Sequence, residues 1–544
     1  MPSTPTTKSQ VQAYRFVLRR MQSALVRKDA VMLHDPMRTH TRATIVGVVL
    51  AAVGMVGFLV YGLLSPDPKP PDKDSILISK QSGQVYVLIN NPKQLIPTFN
   101  LASARLLLVA RKQQQNQNQP GGQQQAPAGG GSSNQGPEQP TVVDDKELRD
   151  IPRGRMTGLQ NGPDLLPSND QRIDAYWAVC DAYKIDETLN KQASQNQIAT
   201  TLPPTTVLGG VKDLGPELGR GEALLVQAQN KKFYLVYRTP TDANIRNANA
   251  VRAEVDMTDN KVKAALNLST DAVRQITTGM LNAIPEAPKL GLPDISGRGG
   301  APEGFDLEGL QVGSVFSVER AGQPDPDYYV LQRNGKEKIK RTTADLIRFT
   351  RSVSGDKITA VSPSASAGIP DAPNSIDDSI SPEIQPTILT AQSYPVSCLG
   401  WNTVNDGSDE HTAVHVGRDV PMPKKPDGAK NDGVAITTPS ADGQKIDHFY
   451  LPPGRAAVVR GVNSSKEFGT GPIYLVSDRG VKYGVPNADT AGILGLTNQK
   501  PAPLSIMRLL PDGASLNTKD VLQTYDSVPV GTGFFEPTNT NGGN

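Results

Sequence analysis

A chain of 544 residues with 37% hydrophobic content and 95 Gly plus Pro can bury several small cores, but it is too loop-rich for a single large one. Its formal net charge of +2 hides a basic N-terminal head and a slightly acidic remainder, so no basic patch marks the bulk of the chain as a nucleic-acid binder.

Residues 1–42 form the head, which carries Lys8, Arg15, Arg19, Arg20, Arg27, Lys28, Arg38 and Arg42 against Asp29 and Asp35, a net +6. Val11, Tyr14, Leu18, Met21 and Leu25 recur at spacings of 3, 4, 3 and 4, which predicts one face of a helix with Arg15, Arg19 and Gln22 on the other side. Two readings fit this pattern. One is a helix lying on the inner leaflet, its cations on anionic lipid; the other is a docking helix whose seam a cytoplasmic partner buries. Asp35-Pro36 is expected to end the helical pattern.

Residues 43–64, Ala43 to Leu64, are uncharged and apolar. As a helix they extend roughly 33 Å, enough to cross a hydrocarbon core of about 30 Å. A secretory signal would have an apolar stretch of only about 7–15 residues and a small-residue cleavage site, neither of which fits. A buried core helix would be weakened by Gly47, Gly54, Gly57 and Gly62, which a membrane span tolerates. Ala43, Gly47 and Ala51 stand at small-xxx-small spacing and are candidate positions for close helix approach. Near the span, Arg27, Lys28, Arg38 and Arg42 face Lys69, Lys73 and Lys80, so the charge rule turns the head inward only modestly.

Residues 65–74 read as a Pro-rich charged stalk, followed by a body over 75–534 and a frayed tail over 535–544. The Gln-rich stretch 112–140 has no apolar periodicity and reads as a disordered insertion. The only cysteines, Cys180 and Cys398, lie in similar surroundings, YWAVC and YPVSCLGW. An even pair beyond an anchor suggests a disulfide in an oxidising compartment, with two buried free thiols as the alternative. A bond between them would tie the two ends of the body together.

The body repeats itself. A short strand such as ILIS (Ile76 to Ser79) precedes one opening on an aromatic, YVL at Tyr86 to Leu88, then a third strand and a helix beginning near NLASARL. The pattern recurs as ALLV, YLV and NANAVRAEV; as VFSV, YVL and TTADLIRF; and as AAVV, YLV and NADTAGILGL. These repeats fall near 75–111, 221–283, 312–352 and 454–497. Each is too small to bury a sufficient core alone, so they must pack on something shared. Pro- and Leu-rich stretches such as Ile284 to Gly300 are the expected central region.

Catalytic motifs are missing from the sequence. It contains no G-x-x-x-x-G-K-[ST] phosphate loop and no G-x-S-x-G nucleophile elbow. His411 and His415 have the i, i+4 spacing of a zinc pair, but HTAVH lacks the zincin glutamate and reads as strand, so no metal is expected. Nor is any cofactor expected.

KSQVQAYRFVLRR before a DP and a single span, NLASARL, IPRG at Ile151 to Gly154, the cysteines beside Trp177 and Trp401, and GVKYGVPNADTA followed by PAPLSIMRLLPDG together resemble EccB. EccB is a core membrane subunit of the type VII (ESX) secretion system of actinobacteria. The Gln-rich insertion departs from that family's pattern. The resemblance implies a cytoplasmic N-terminal helix, an inner-membrane span and a periplasmic domain with a disulfide mapping onto Cys180 and Cys398. It also implies assembly with EccC, EccD, EccE and further EccB copies in a sixfold complex, with the MycP protease nearby. The expected fold is a single transmembrane helix plus an elongated α+β, β-rich extracytoplasmic domain of four small βββα-like repeats around a central core. The expected role is a non-catalytic structural subunit that anchors and extends the export channel. An ATPase, as some family members are labelled, and a cell-wall or substrate-binding module are the alternatives.

Overall fold

The computed structural model describes residues 8–27, 36–64, 69–117, 136–186, 188–239, 250–323, 325–351, 358–404, 409–437 and 443–525. The chain divides into two compact units, residues 1–69 and 70–544.

The first unit holds two helices, α1 (Lys8–Arg27) and α2 (Pro36–Leu64). No Gly or Pro interrupts α1, and its charged residues are all basic. Pro36 opens α2, where its missing N–H costs nothing and its fixed φ suits the first turn, while Asp35 and the end of the preceding helical pattern lie outside the described residues. Within α2, Arg42–Gly62 has a mean hydropathy of 2.5 and is wholly unburied; among the described residues it is the one helix long and apolar enough to cross a membrane. The helix therefore begins several residues before the apolar run.

In the body, β1 (Ser75–Ser79), β2 (Val85–Asn90) and β3 (Lys93–Thr98) form an antiparallel meander that leads into α3 (Leu101–Gln117). The chain then returns as β4 (Thr141–Val143), parallel to β1 with Leu77 opposite Thr141. The Gln-rich stretch thus lies inside this sheet's connection rather than after it, with residues 112–117 in α3 and 118–135 outside the described residues. After the short α4 (Asp145–Leu148), β5 (Met156–Thr157) extends the other edge beside β3.

β6 (Tyr176–Ala182), α5 (Lys191–Thr200) and β7 (Thr205–Gly209) come next, followed by a second meander of β8 (Glu222–Gln227), β9 (Phe233–Arg238) and β10 (Ala250–Val255). In NANAVRAEV, a strand replaces the expected helix start: Val251 and Val255 bring β-branched side chains onto a ladder that pairs Val251 with Tyr237. The helix of this segment is α6 (Asn260–Ala265), before β11 (Arg274–Gln275), α7 (Thr278–Ala283) and β12 (Glu286–Leu290). β12 lies parallel to β10 rather than β8. Glu286–Leu290 of the Pro-rich stretch is therefore part of this sheet, and Ile295 further along it packs in the core of the third segment, so the stretch does not form the central region.

The third segment is β13 (Val315–Val318), β14 (Asp327–Gln332), β15 (Gly335–Ile339), α8 (Arg341–Arg351) and β16 (Thr359–Val361), with β16 parallel to β13. Past α9 (Pro363–Ala367), β17 (Thr387–Ile388) goes back to the open side of β8, which it shares with β11. β18 (Val396–Val404), β19 (Asp409–Gly417), β20 (Val434–Ala435) and β21 (His448–Tyr450) complete a central sheet in the order β19-β18-β6-β7-β21-β20. The last segment is β22 (Ala457–Val462), β23 (Ile473–Val476), β24 (Lys482–Val485), α10 (Ala488–Leu494) and β25 (Lys500–Pro503), with β25 parallel to β22. α11 (Leu504–Met507) follows, and β26 (Thr524–Tyr525) pairs with β5.

Packing joins the segments in pairs. The first and last share one core, in which Ile76, Val87 and Leu107 meet Val458, Leu475 and Leu494 as α3 packs on α10. α6 of the second segment packs on α8 of the third, whose Leu346 enters the core with Val262 and Leu266. Trp177, Val179, Leu399 and Trp401 of the central sheet share another core with Leu224 and Val236 on one side and Val459 and Val476 on the other.

Candidate assembly site

The head's apolar positions all fall on α1 and all are uncovered: Val11 is 41% exposed, Tyr14 67%, Leu18 39%, Met21 54% and Leu25 82%. Arg15 and Arg19 are exposed as well. Ala43, Gly47 and Ala51 lie on α2, where a Cβ built on Gly47 would meet nothing within 4 Å. In this chain, therefore, the α1 face and the small-residue positions of α2 are open.

In the central sheet, Cys180 of β6 stands directly opposite Cys398 of β18, with Sγ atoms 2.09 Å apart and Cα atoms 4.0 Å apart. Side chains alternate along a strand, so Trp177 and Trp401, also directly opposed, point to the other face. Leu208 and Val396, with the partly buried Val211 and Leu214, cover the disulfide. The bond joins two neighbouring strands at the middle of the body, and does not tie its ends together. Those ends are joined instead by the core between the first and last segments.

A buried polar cluster adjoins the disulfide. The Asp181 carboxylate accepts from the Thr277 N–H at 2.8 Å and from the hydroxyls of Thr277 and Thr205, both at 2.8 Å, which fastens the start of α7 to β6. Burial pushes its pKa up to about 6, with a further push from Asp447 and partial opposition from these hydrogen bonds. Arg274 is fully buried, donates to the carbonyls of Leu389 and Tyr394, and is pushed down by burial to about 10. The Tyr183 hydroxyl donates to the Gln275 carbonyl, and burial raises its pKa. The sequence reading missed this cluster; its one visible signal was a carboxylate set into the apolar strand YWAVCDA.

The NLASARL and GVKYGVPNADTA segments meet in space. Asn100 caps α3 by accepting from the Ser103 N–H at 2.8 Å, and the Ser103 hydroxyl accepts from the Leu159 N–H. Arg105 reaches from α3 to the C-terminal end of α10 and donates to the Leu494 carbonyl at 2.7 Å, while Arg172 donates to the Gly495 carbonyl at 2.6 Å. Cations are favoured there because the last carbonyls of a helix lack intrahelical partners and carry partial negative charge. Gly495, at φ 78°, supplies the left-handed cap that turns those carbonyls outward. Asn487 caps the other end of α10, and Lys482 donates to the Met507 carbonyl and pairs with Asp512 at 2.9 Å.

His411 and His415 sit on one face of β19, where residues four apart are separated by about 13 Å. Burial lowers the His411 pKa, and the His415 Nδ1 lies 2.9 Å from the Gly215 carbonyl. Among the described residues, no group of three or more His, Cys, Asp or Glu could hold a metal ion.

The family described as "Type VII secretion system ESX-1, transport TM domain B" (EccB) matches residues 3–530. The ESX-3 secretion system ATPase EccB3 of Mycolicibacterium smegmatis is 28% identical over 534 residues, covering 96% of this chain and 91% of the relative. The ESX-1 secretion system ATPase EccB1 of Mycobacterium tuberculosis is 27% identical over 531 residues, covering 96% of each chain. Among solved structures, a chain of an intact ESX-5 inner membrane complex superposes with a TM-score of 0.64 at 22% identity, covering 97% of this chain and 98% of that one. The EccB3 dimer from the ESX-3 core complex gives 0.63 at 25% identity, covering 83% of this chain and all of that one. With an N-terminal helix long and apolar enough to cross a membrane, a β-rich body of the same fold and a family match over nearly its whole length, the chain belongs to the EccB family of type VII secretion proteins.

Proposed function

We propose that this protein is a non-catalytic structural subunit of a type VII secretion complex in the inner membrane. In this reading α2 spans the bilayer, α1 lies in the cytoplasm as a docking helix, and the body stands in the periplasm, where the disulfide forms. The observation that carries it is how the motif residues are used. Asn100, Ser103, Arg105, Asn487 and Lys482 each cap a helix or bind one part of the body to another, so the residues that mark the family build a rigid body. The four sheet segments are read as repeats of one βββα unit, with the second altered because its returning strand pairs beside the third strand instead of the first.

Val11, Tyr14, Leu18, Met21 and Leu25, flanked by Arg15 and Arg19, would dock the cytoplasmic parts of EccC, EccD or EccE. Ala43, Gly47 and Ala51 would pack against neighbouring spans, and the bodies would associate with other EccB copies and lie near MycP. Deleting residues 1–42 and purifying the membrane complex tests this. The truncated subunit is expected to be lost from the complex, and normal assembly would sink the docking role.

A second reading comes from the relatives' names, which carry the word ATPase. It predicts ATP turnover by the purified full chain. We expect none, because the sequence has no phosphate loop; turnover that co-purifies with the folded protein and is lost on a point substitution in it would overturn the structural reading.

A further inference from the structure

We propose that α1, in the subunit by itself, lies on the bilayer surface with its apolar face among the acyl chains and its cations on anionic phospholipid headgroups. The twenty residues of this helix hold five cations, Lys8, Arg15, Arg19, Arg20 and Arg27, and no Asp or Glu. On a helical projection Val11, Tyr14, Leu18, Met21 and Leu25 form one stripe; Lys8, Arg15, Arg19 and Gln22 border one side of it rather than standing across the helix from it, and Ser23 lies opposite. A basic border along an apolar face is the pattern that holds a helix in the interfacial plane, because long cationic side chains reach the headgroups while the stripe sinks below them.

Three observations favour lipid over other occupants. Two copies of α1 packed stripe to stripe would find no carboxylate to pair with their basic borders, and in the antiparallel arrangement those borders would meet each other. Only residues 28–35 separate Arg27 from Pro36, a reach of at most about 30 Å, so a membrane crossed by α2 is always within range of α1 whereas any protein partner must diffuse to it. The apolar stripe is exposed, Leu25 by 82% and Tyr14 by 67%, and α2 of the same unit does not bury it. The proposal does not rest on the docking reading, since it concerns the subunit before any partner is present.

The test uses the full chain in nanodiscs, with Leu18→Cys carrying an environment-sensitive fluorophore and Ser23→Cys as the opposite-face control. Because Cys180 and Cys398 are bonded to each other, the label goes to the introduced thiol. With phosphatidylglycerol in the disc, the Leu18 label is expected to shift to the blue and be quenched by brominated acyl chains, and the Ser23 label much less. If three of the cations reach the headgroups, anionic lipid raises the binding constant roughly hundredfold over phosphatidylcholine alone. Raising salt to 1 M, where the Debye length is about 3 Å, is expected to reverse most of that gain. Arg15→Glu with Arg19→Glu should do the same, and the salt titration on the unaltered charges stands if that variant loses its helix. Equal burial in both lipids would overturn the proposal. So would exposure in both, with protection arising only when the other secretion subunits are added, which would assign the face to a protein partner.

Discussion

Replacing both Cys180 and Cys398 by alanine is expected to destabilise the body by about 2–5 kcal/mol. The bond closes a sequence separation of 218 residues, for which the loop-entropy relation assigns on the order of 5 kcal/mol. That figure supposes that the enclosed chain is free once the sheet opens. The second and third segments lie within the loop and have their own cores around Leu235, Val251 and Leu346 and around Val330 and Ile347, so they can stay folded and shorten the effective loop. The bond also acts on register. Seven residue pairs join β6 to β18, from Ala182 opposite Val396 to Tyr176 opposite Asn402, and a slip of β18 by one would carry Trp401 from the core to the disulfide face. Denaturant unfolding of the full chain, followed by the near-ultraviolet signal of the two tryptophans, checks this. Reductant is expected to move the wild-type midpoint to that of the double variant; a midpoint that stays put after complete reduction would refute the contribution.

What could be read in the sequence was local. Short β-rich runs opening on an aromatic, as at Tyr86, Tyr234 and Tyr474, lie in strands, because that signal needs only neighbouring residues. Asn100 and Asn487 likewise mark helix starts through a cap that reaches three residues ahead. Missed features depend on distant partners. Nothing in Thr387-Ile388 says that it will fill the open side of β8, and nothing in Arg105 says that its guanidinium will meet carbonyls nearly four hundred residues later. Proline both ends and opens helices, and that Pro36 opens α2 depends on the apolar chain that follows it. The central sheet was half legible: the matching surroundings of the two cysteines are its middle strands, but β7, β20 and β21 carry no comparable mark.

The second large effect is a dependence on pH from Asp181. With its pKa raised to about 6 in the folded body and near 3.8 in the unfolded chain, this carboxyl holds its proton more tightly when folded. Its contribution to stability is therefore fully present below about pH 4, falls as pH rises and is lost above about pH 6, by roughly 3 kcal/mol across the window. Its surroundings explain the sign. Burial disfavours the charge, Asp447 repels it, and the donors from Thr277 and Thr205 return only part of the lost hydration; Arg274 and Tyr183 complete the titratable groups around it. Asp181→Asn keeps a carbonyl to accept from the Thr277 N–H and places an amide where the two hydroxyl oxygens can accept. The variant is thus expected to fold, to match or exceed the wild type at pH 7, and to lack the wild type's gain in stability between pH 6 and pH 4. Carboxylates that do not interact with Asp181 contribute equally to both proteins, so the difference between their denaturant midpoints isolates this group together with its coupling to Asp447. A difference that is flat across the window would show that Asp181 ionises in the folded body as readily as in water.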